Sequence, residues 1–323
     1  MVFDFGAGLF ASPARNRIVK RIRDCQSRIK TVPSSRLNSS LSDNPSTKSD
    51  PHTHMLALPF LLVAAGLASA NWQDTFMAVS TTAASPSNLW TYGCGEKLWG
   101  QIENCHVCAT GKYQSPVNLP KSAKLVNLKK PDTSKWADVA KCDSYLTYDG
   151  NGMLLNPTDD WGFKTVIGGI TFTVTEIDFM TPSEHSLDGV YYPLEVQFVH
   201  EGTNKRGDKV VSIFSVFFEY GSVEDKSDWV AQFEKLWPTV VEGKTMFHTL
   251  NVSAIKKLFK KTEFYHYKGS VTAPPCTEGI VWQIATTPLM VSPMQLNILR
   301  DIVGFSSRYQ QDNLNVDQQL SGM

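Results

Sequence analysis

Alternating and continuous apolar stretches recur along the second half of the chain and predict β-strands. Stretches enriched in β-branched and aromatic residues occupy 125–128, 165–180, 194–199, 210–219 and 280–286. Residues 210–218 are apolar at almost every position, which is typical of a strand in the middle of a large sheet. Helical periodicity is confined to the short segments 229–237, 252–260 and 292–302. The pattern therefore predicts a mainly β fold with short helices.

The N-terminal part of the chain has a different composition. Residues 1–54 are rich in Ser, Arg and Asn with little periodic apolar content, which predicts disorder. Residues 55–70 form an apolar run that ends in a small-x-small pattern, as a secretory signal peptide does. A signal peptide beginning at Met55 would make 1–54 an extension absent from the natural product. The alternative is that Met1 is the true start and the run is a signal anchor or part of a two-part targeting sequence.

The length of the chain indicates its domain organisation, and its charge argues against two classes of partner. Residues 71–89 are interpreted as a linker, and 90–323 as one large β-rich domain. The chain has 31 Lys and Arg residues against 31 Asp and Glu residues, so its formal net charge is zero. This balance gives no electrostatic reason to expect nucleic acid or an anionic membrane surface as a partner. The apolar run at 55–70 falls short of the roughly 20 residues that a stable membrane span needs.

Three motifs follow one another in the predicted domain. The first is Gln114-Ser115-Pro116, which follows Trp90-Thr91-Tyr92; the second is SEHSLDG at 183–189 with YPLE at 192–195; the third is GSVTAPPCTEGIVW at 269–282. In this order they resemble the motifs of α-type carbonic anhydrases, from about Trp90 to the C-terminus. The resemblance implies a large, twisted, mostly antiparallel central sheet of about ten strands with short surface helices. It also implies a pocket where active relatives hold zinc on three histidines and hydrate CO2.

Asp178, Met180 and Gln197 stand at the three positions that the resemblance gives to the zinc-binding histidines. Side chains at i and i+2 of a strand share a face, so residues 178 and 180 can face residue 197 of a neighbouring strand. A carboxylate, a thioether and an amide share no preferred metal. We therefore expect neither a metal nor another cofactor here. A mixed-ligand or relocated zinc site is the alternative.

The resemblance also implies the surroundings of these positions. Glu184 and Thr272 match a pair that orients the zinc-bound hydroxide in active relatives, and here they are expected to be vestigial. Met153 stands where many active relatives have a proton-shuttling histidine. The remaining pocket residues implied by the resemblance are Glu195, His185, His200, Val199, Ile213, Val271 and Trp282.

The resemblance to secreted α-type carbonic anhydrases also implies a disulfide between Cys108 and Cys276. A second bridge between Cys94 and Cys105 is predicted, which leaves Cys142 unpaired. Such cysteine usage favours an oxidising compartment.

Two short motifs have other interpretations. Cys105, His106 and Cys108 are an alternative metal site, but zinc needs about four ligands and no second cluster is visible. Asn251-Val252-Ser253 is a candidate glycosylation site.

Together these features predict a secreted carbonic-anhydrase-related protein that does not hydrate CO2 and binds an unidentified protein or glycan partner. Two alternatives belong to other classes. The first is an active carbonic anhydrase with an unusual or relocated metal site. The second is a bulk or matrix protein in which only the fold matters.

Overall fold

A computed structural model describes residues 90–93, 96–120, 130–242 and 244–313. The predicted extension, signal peptide and linker lie outside these residues, as does the strand predicted at 125–128.

Fifteen strands occur in the described part of the chain. They are β1 (Asn118–Leu119), β2 (Val139–Ala140), β3 (Ser144–Tyr148), β4 (Met153–Pro157), β5 (Lys164–Ile167), β6 (Ile170–Met180), β7 (Ser186–Leu187), β8 (Val190–Tyr191), β9 (Leu194–Thr203), β10 (Lys209–Tyr220), β11 (Lys244–Phe247), β12 (Leu250–Asn251), β13 (Phe264–Ser270), β14 (Glu278–Ala285) and β15 (Leu289–Val291). The helices are short: α1 (Glu96–Trp99), α2 (Val107–Thr110), α3 (Asp228–Ala231), α4 (Ser253–Lys261) and α5 (Pro293–Val303), with a 3-10 helix at Trp237–Glu242.

Ten of these strands form one sheet, as predicted. Its order is β11-β3-β4-β6-β9-β10-β14-β13, with β5 paired to β6 and β15 paired to β10. Strand β10 runs parallel to β14 and β15, whereas the other pairs of this sheet are antiparallel. The apolar run at 210–218 is buried throughout and lies between β9 and β14, which confirms its predicted central place.

The prediction of one strand over 165–180 is wrong, because this segment is a hairpin. Strand β5 ends at Ile167 and β6 begins at Ile170, and these two residues pair across the turn. Gly168 and Gly169 both have positive φ, at 56° and 79°. A two-residue turn with positive φ at both positions favours glycine and matches the twist of the strands that it joins.

Two of the three predicted helices agree closely with the structure, and the third does not. Helices α4 and α5 begin and end within one residue of the predicted bounds. Pro293 at the first helical position and Gly304, with φ of 72°, after the last account for the bounds of α5. The helix predicted at 229–237 is instead α3 followed by the 3-10 helix.

Alternation along the central strands divides the buried side chains between two layers. Phe179, Phe198 and Phe214 belong to the main hydrophobic core on one face of the sheet. Ile213 and Trp282 belong to a smaller apolar cluster on the other face. Because successive side chains of a strand point to opposite faces, one strand serves both layers.

A disulfide joins the segment before β1 to the loop before β14. Cys108 and Cys276 are bonded, with their Cα atoms 5.0 Å apart, which confirms the predicted bridge. Cys142 has a free thiol in the described structure, as predicted. Cys94 lies outside the described residues, so the Cys94–Cys105 bridge stays a prediction.

The described helices include none with the length and apolar character needed to cross a membrane.

The disulfide should make a large contribution to stability, because its cysteines are 168 residues apart. Replacing both Cys108 and Cys276 by Ser removes the constraint that closes this loop in the unfolded chain. We expect the free energy of unfolding, measured by guanidinium titration, to fall by about 5 kcal/mol. The matched control is Cys142→Ser, which should change it by less than about 0.5 kcal/mol. Equal stability of the double variant and the wild type would contradict this role.

Candidate functional site

The candidate site lies on the face of the sheet that β6 and β9 share. Asp178 of β6 lies opposite Gln197 of β9, and Met180 lies opposite Glu195. Directly opposed residues of antiparallel strands point to the same face, so the four side chains are neighbours. All four are buried. The strand register therefore brings together the three positions that the sequence singles out.

The buried carboxylate of Glu195 accepts five hydrogen bonds, which hold the surrounding side chains and backbone in place. Oε2 accepts from the backbone N–H groups of Glu184 and His185, each at 2.9 Å. Oε1 accepts from His185 Nδ1 at 2.9 Å, Ser215 Oγ at 2.7 Å and Gln197 Nε2 at 3.1 Å. Burial raises the pKa of Glu195, but the charge of His185 and the hydrogen bonds outweigh burial and lower it. Glu195 is therefore an anion in the folded protein.

His185 is fully engaged on this face. Its Nδ1 atom donates to Glu195, because an ionised carboxylate can only accept. Its Nε2 atom lies 2.6 Å from the Tyr267 hydroxyl, which donates to Ser115 Oγ at 2.8 Å. His185 thus connects β9, β13 and the Gln-Ser-Pro segment, and neither ring nitrogen is free for a metal.

Gln197 connects the two buried glutamates. Its Nε2 atom donates to Glu184 Oε2 at 2.9 Å as well as to Glu195. Glu184 also accepts from the Thr272 hydroxyl and, at 3.0 Å, from the backbone N–H of Arg308. Burial and the nearby Glu195 charge raise the pKa of Glu184 to about 8, despite these hydrogen bonds. Glu184 therefore retains its proton at neutral pH.

A second acid, Glu176, lies beside Asp178. It precedes Asp178 by two residues, and its partner across the strands is Val199. The Glu176 and Asp178 side chains are hydrogen-bonded to each other, and Asn156 Nδ2 donates to Glu176 Oε2 at 2.6 Å. Burial raises the pKa of both carboxyls, and the charge of Glu176 raises that of Asp178 further.

This acid pair was missed by the sequence reasoning, although the i, i+2 spacing of Glu176 and Asp178 was a usable signal. Within the described residues, Asp178 Oδ1 is buried and accepts no hydrogen bond from an N–H group or a hydroxyl.

The prediction that His200 lines the pocket is wrong. His200 is three residues from Gln197 on β9, and an odd separation places it on the opposite face. Its ring packs against Phe214, with centroids 4.0 Å apart, and Nδ1 lies 2.7 Å from the Phe198 carbonyl oxygen. Burial lowers the pKa of His200 to about 3, so the ring is neutral. Met153 also packs in the main core, while its neighbour Leu154 lies opposite Asp178.

The four residues predicted to form an apolar wall belong to one apolar cluster, and their contact with a ligand stays a prediction. Ile213 and Trp282 are buried within the apolar cluster on the site's side of the sheet. Val199 and Val271 are only partly buried and pack against that cluster. The accessible apolar surface is therefore the smaller part of the predicted set.

The residues at the three positions do not fit a zinc ion. The only atom that Gln197 could offer is its amide oxygen, which is a weak ligand for zinc. Burial raises the pKa of Asp178, which favours the neutral acid over the carboxylate that a metal ion needs. The Met180 thioether favours soft ions rather than zinc in an oxygen-rich site. In the described ranges, no group of three or more His, Cys, Asp and Glu side chains is arranged to hold a metal ion.

The raised pKa of Glu184 predicts a pH dependence of stability. Between its ordinary value of 4.5 and about 8, the folded protein keeps the Glu184 proton while the unfolded chain loses it. The favourable contribution of the neutral acid is therefore complete below about pH 4.5 and declines as the pH rises through 8. Glu184→Gln removes this proton, so its free energy of unfolding should fall less between pH 5 and 8.5 than that of the wild type, in urea titrations.

The matched control for this measurement is Glu224→Gln, at an exposed acid far along the chain. It should keep the wild-type pH dependence. If the free energy of unfolding changes with pH equally in Glu184→Gln and in the wild type, the raised pKa of Glu184 is contradicted.

Known proteins resemble this chain over most of its folded part. Residues 94–320 match the family described as eukaryotic-type carbonic anhydrase. Dioscorin dioA3 of Dioscorea japonica is 26% identical over 255 residues, which cover 77% of this chain and 86% of the dioscorin. Alpha carbonic anhydrase 4 of Arabidopsis thaliana is 29% identical over 226 residues, covering 68% and 79%.

A solved structure extends the comparison to the fold. The α-carbonic anhydrase of Thermovibrio ammonificans, in complex with the inhibitor sulfanilamide, matches with a TM-score of 0.58 at 26% identity, over 72% of this chain and 97% of that protein. The family match spans well over half of the sequence and includes every strand of the ten-stranded sheet. This chain therefore belongs to the eukaryotic-type carbonic anhydrase family.

Proposed function

We propose that this protein is a secreted, carbonic-anhydrase-related binding protein that does not hydrate CO2. The observation that supports this most is the state of Gln197. Its amide closes a hydrogen-bonded network between Glu184 and Glu195 at the place where active relatives have a histidine ligand. The amide nitrogen of Gln197 is thus satisfied by the protein's own carboxyl groups.

The chemistry of CO2 hydration supports the same proposal. In active relatives the zinc ion lowers the pKa of its bound water to about 7, which makes hydroxide available at neutral pH. The polar groups described on this face offer no equivalent base. Glu184 is enclosed by its hydrogen-bond partners, and both ring nitrogens of His185 are engaged. Burial and the charge of Glu176 raise the pKa of Asp178.

An active carbonic anhydrase with an unusual zinc site is the second candidate. One observation favours it: the hydrogen bond between Thr272 and Glu184, which orients the nucleophile in active relatives, is present. Buried polar side chains need hydrogen-bond partners in any folded protein. The contact between Thr272 and Glu184 meets that requirement, so its presence does not require catalysis. We therefore propose that this pair is vestigial and that zinc is not a cofactor.

Two features support the proposal that the protein is secreted. We propose that residues 55–70 are a signal peptide, that 1–54 precede the natural start, and that the Cys108–Cys276 bridge forms in an oxidising compartment. Asn251 is exposed on β12 and remains the proposed glycosylation site. The proposed partner is a protein, a glycan or a small molecule. A bulk or matrix protein, the remaining alternative, would need a stable fold but no binding partner.

Restoring three histidines tests the proposal. The triple variant Asp178→His, Met180→His and Gln197→His places three imidazoles on one face, with the Glu195 carboxylate already positioned to accept the N–H of the imidazole at 197. We expect about one zinc per chain after dialysis, measured by elemental mass spectrometry, and none in the wild type. The single variant Gln197→His is the control and should retain little zinc.

Two outcomes would count against this account in different ways. A folded triple variant without zinc would contradict the strand register. One tightly held zinc in the wild type, together with CO2 hydration in a stopped-flow assay, would contradict the proposed function.

A further inference from the structure

One helix concentrates positive charge, although the chain as a whole is neutral. Helix α4 contains the run KKLFKK at 256–261, in which four of six residues are lysines. A lysine-rich run of this length is a sequence signal for the binding of polyanions. The zero net charge describes only the total over the chain, so it is compatible with a local patch of one sign.

The fold separates the lysines of α4 from its apolar residues. The buried residues of the helix, which all belong to the main core, are Ile255, Leu258 and Phe259. Lys257, Lys260 and Lys261 are exposed. Residues three and four apart on a helix are neighbours, so Lys257 lies beside both Lys260 and Lys261. The three ammonium groups therefore share the outer face of the helix.

The acids beside α4 have other partners. Lys256 pairs with Asp138 at 2.6 Å and also donates to the Trp136 carbonyl oxygen. Glu263, two residues after the helix, pairs with Lys130 at 2.7 Å. Among the described residues, the ion pairs include none of the three exposed lysines. The outer face of α4 thus carries positive charge that the described protein does not neutralise.

The lysines of α4 act on a common neighbour, the exposed carboxylate of Asp138. A hydrogen bond from Lys256 lowers the pKa of Asp138, and the charge of Lys256 lowers it further. The charges of Lys260 and Lys257 act in the same direction. Since these lysines reach one carboxylate, they form a single cluster. Like charges three and four residues apart destabilise a helix, so an anionic partner that bridges them relieves this repulsion.

We propose that the outer face of α4 binds an extracellular polysaccharide with repeated anionic groups, sulfate or carboxylate, and that Lys257, Lys260 and Lys261 contact these groups. The inference rests on the proposed function, because it names the glycan partner of a secreted binding protein. Each lysine offers three donors and a positive charge, which complement the charged oxygens of a sulfate or a carboxylate. Helix α4 packs on the main-core face of the sheet, so this surface is separate from the pocket on the other face.

An anionic membrane fits this surface less well. A helix that binds a membrane inserts its apolar face at the boundary of the acyl chains. The apolar face of α4 is packed in the core instead and cannot insert. Anionic lipids are also typical of the cytoplasmic leaflet, which a secreted protein does not meet.

Nucleic acid also fits this surface less well. Proteins that bind single strands stack the bases on aromatic side chains, and base edges are read mainly by Arg, Asn and Gln. The exposed residues of α4 are all lysines. They supply charge without stacking or base readout, which suits a polymer whose repeated feature is its anionic groups.

Polysaccharides of different charge test the proposal. Heparin, hyaluronan and neutral dextran of matched length are titrated into the full-length protein by calorimetry. We expect heparin to bind and dextran not to bind, with an affinity for heparin that falls as the salt concentration rises, because the contacts release counterions. Binding of hyaluronan as well would show that carboxylates suffice, and binding of heparin alone would assign the sulfated class. Binding of neither, or of dextran as tightly as heparin, would overturn the proposal.

A triple variant locates the surface. Lys257→Gln, Lys260→Gln and Lys261→Gln together should weaken heparin binding about tenfold or more and reduce the slope of log affinity against log salt by about two to three. The same three positions changed to Arg keep the charges and should bind within about threefold of the wild type. Unchanged binding in the glutamine variant would overturn the proposal.

The matched control removes three other exposed lysines, which lie outside α4: Lys112→Gln, Lys205→Gln and Lys226→Gln. It has the same net charge as the glutamine variant of α4 and should bind heparin within about threefold of the wild type, because the lost charges are distant along the chain from the cluster. An equal loss of affinity in the two variants would show a response to net charge alone and would overturn the assignment to α4.

Further measurements separate other partners and other failures. Duplex DNA, or vesicles of phosphatidylserine and phosphatidylcholine, bound as tightly as heparin at the same ionic strength would overturn the assignment of a polysaccharide. Zinc content and CO2 hydration are measured on the same wild-type preparation. An inactive, zinc-free protein that does not bind heparin refutes this inference alone, whereas an active zinc protein that binds heparin through α4 refutes the proposed function alone.

Discussion

The Glu195 carboxylate is the interaction on which the site depends. It is fully buried, and its five donors come from the segment after β6, from β9 itself and from β10. An unpaired buried charge is costly, so these donors must stay in place for the fold to tolerate Glu195. The same requirement fixes His185 and Gln197, and through Gln197 it fixes Glu184. A single anion thus determines how one face of the sheet is organised.

This organisation explains how a carbonic-anhydrase fold can persist with Gln at position 197. An amide both fits between two carboxyl groups and donates to each of them, which makes the network self-sufficient. The neighbouring acids Glu176 and Asp178 lie outside this network, and burial raises the pKa of both. The Glu195 network alone therefore sets the conformation of the residues around Gln197.

The sequence could predict the fold more fully than the site, for identifiable reasons. Apolar runs such as 210–218 predict central strands well, because burial on both faces leaves a continuous pattern. The hairpin at Gly168-Gly169 carries a local signal, because two glycines between apolar runs are typical of a two-residue β-turn, but reading 165–180 as one strand overlooks it. His200 was misplaced because a motif position does not show the parity of a strand, while its odd separation from Gln197 does. The Arg308 contacts to Cys108, Gln114 and Ser115 join residues about 200 positions apart, and a local pattern contains no trace of them.

The central claim is that the protein's own hydrogen bonds occupy the place of a zinc ligand at Gln197. Anomalous diffraction at the zinc absorption edge, from crystals grown with excess zinc, tests it directly. Our account predicts no anomalous peak between Asp178, Met180 and Gln197, with Gln197 Nε2 still within hydrogen-bond distance of Glu184 and Glu195. A zinc peak within about 2.2 Å of the Asp178 and Gln197 oxygens would contradict it.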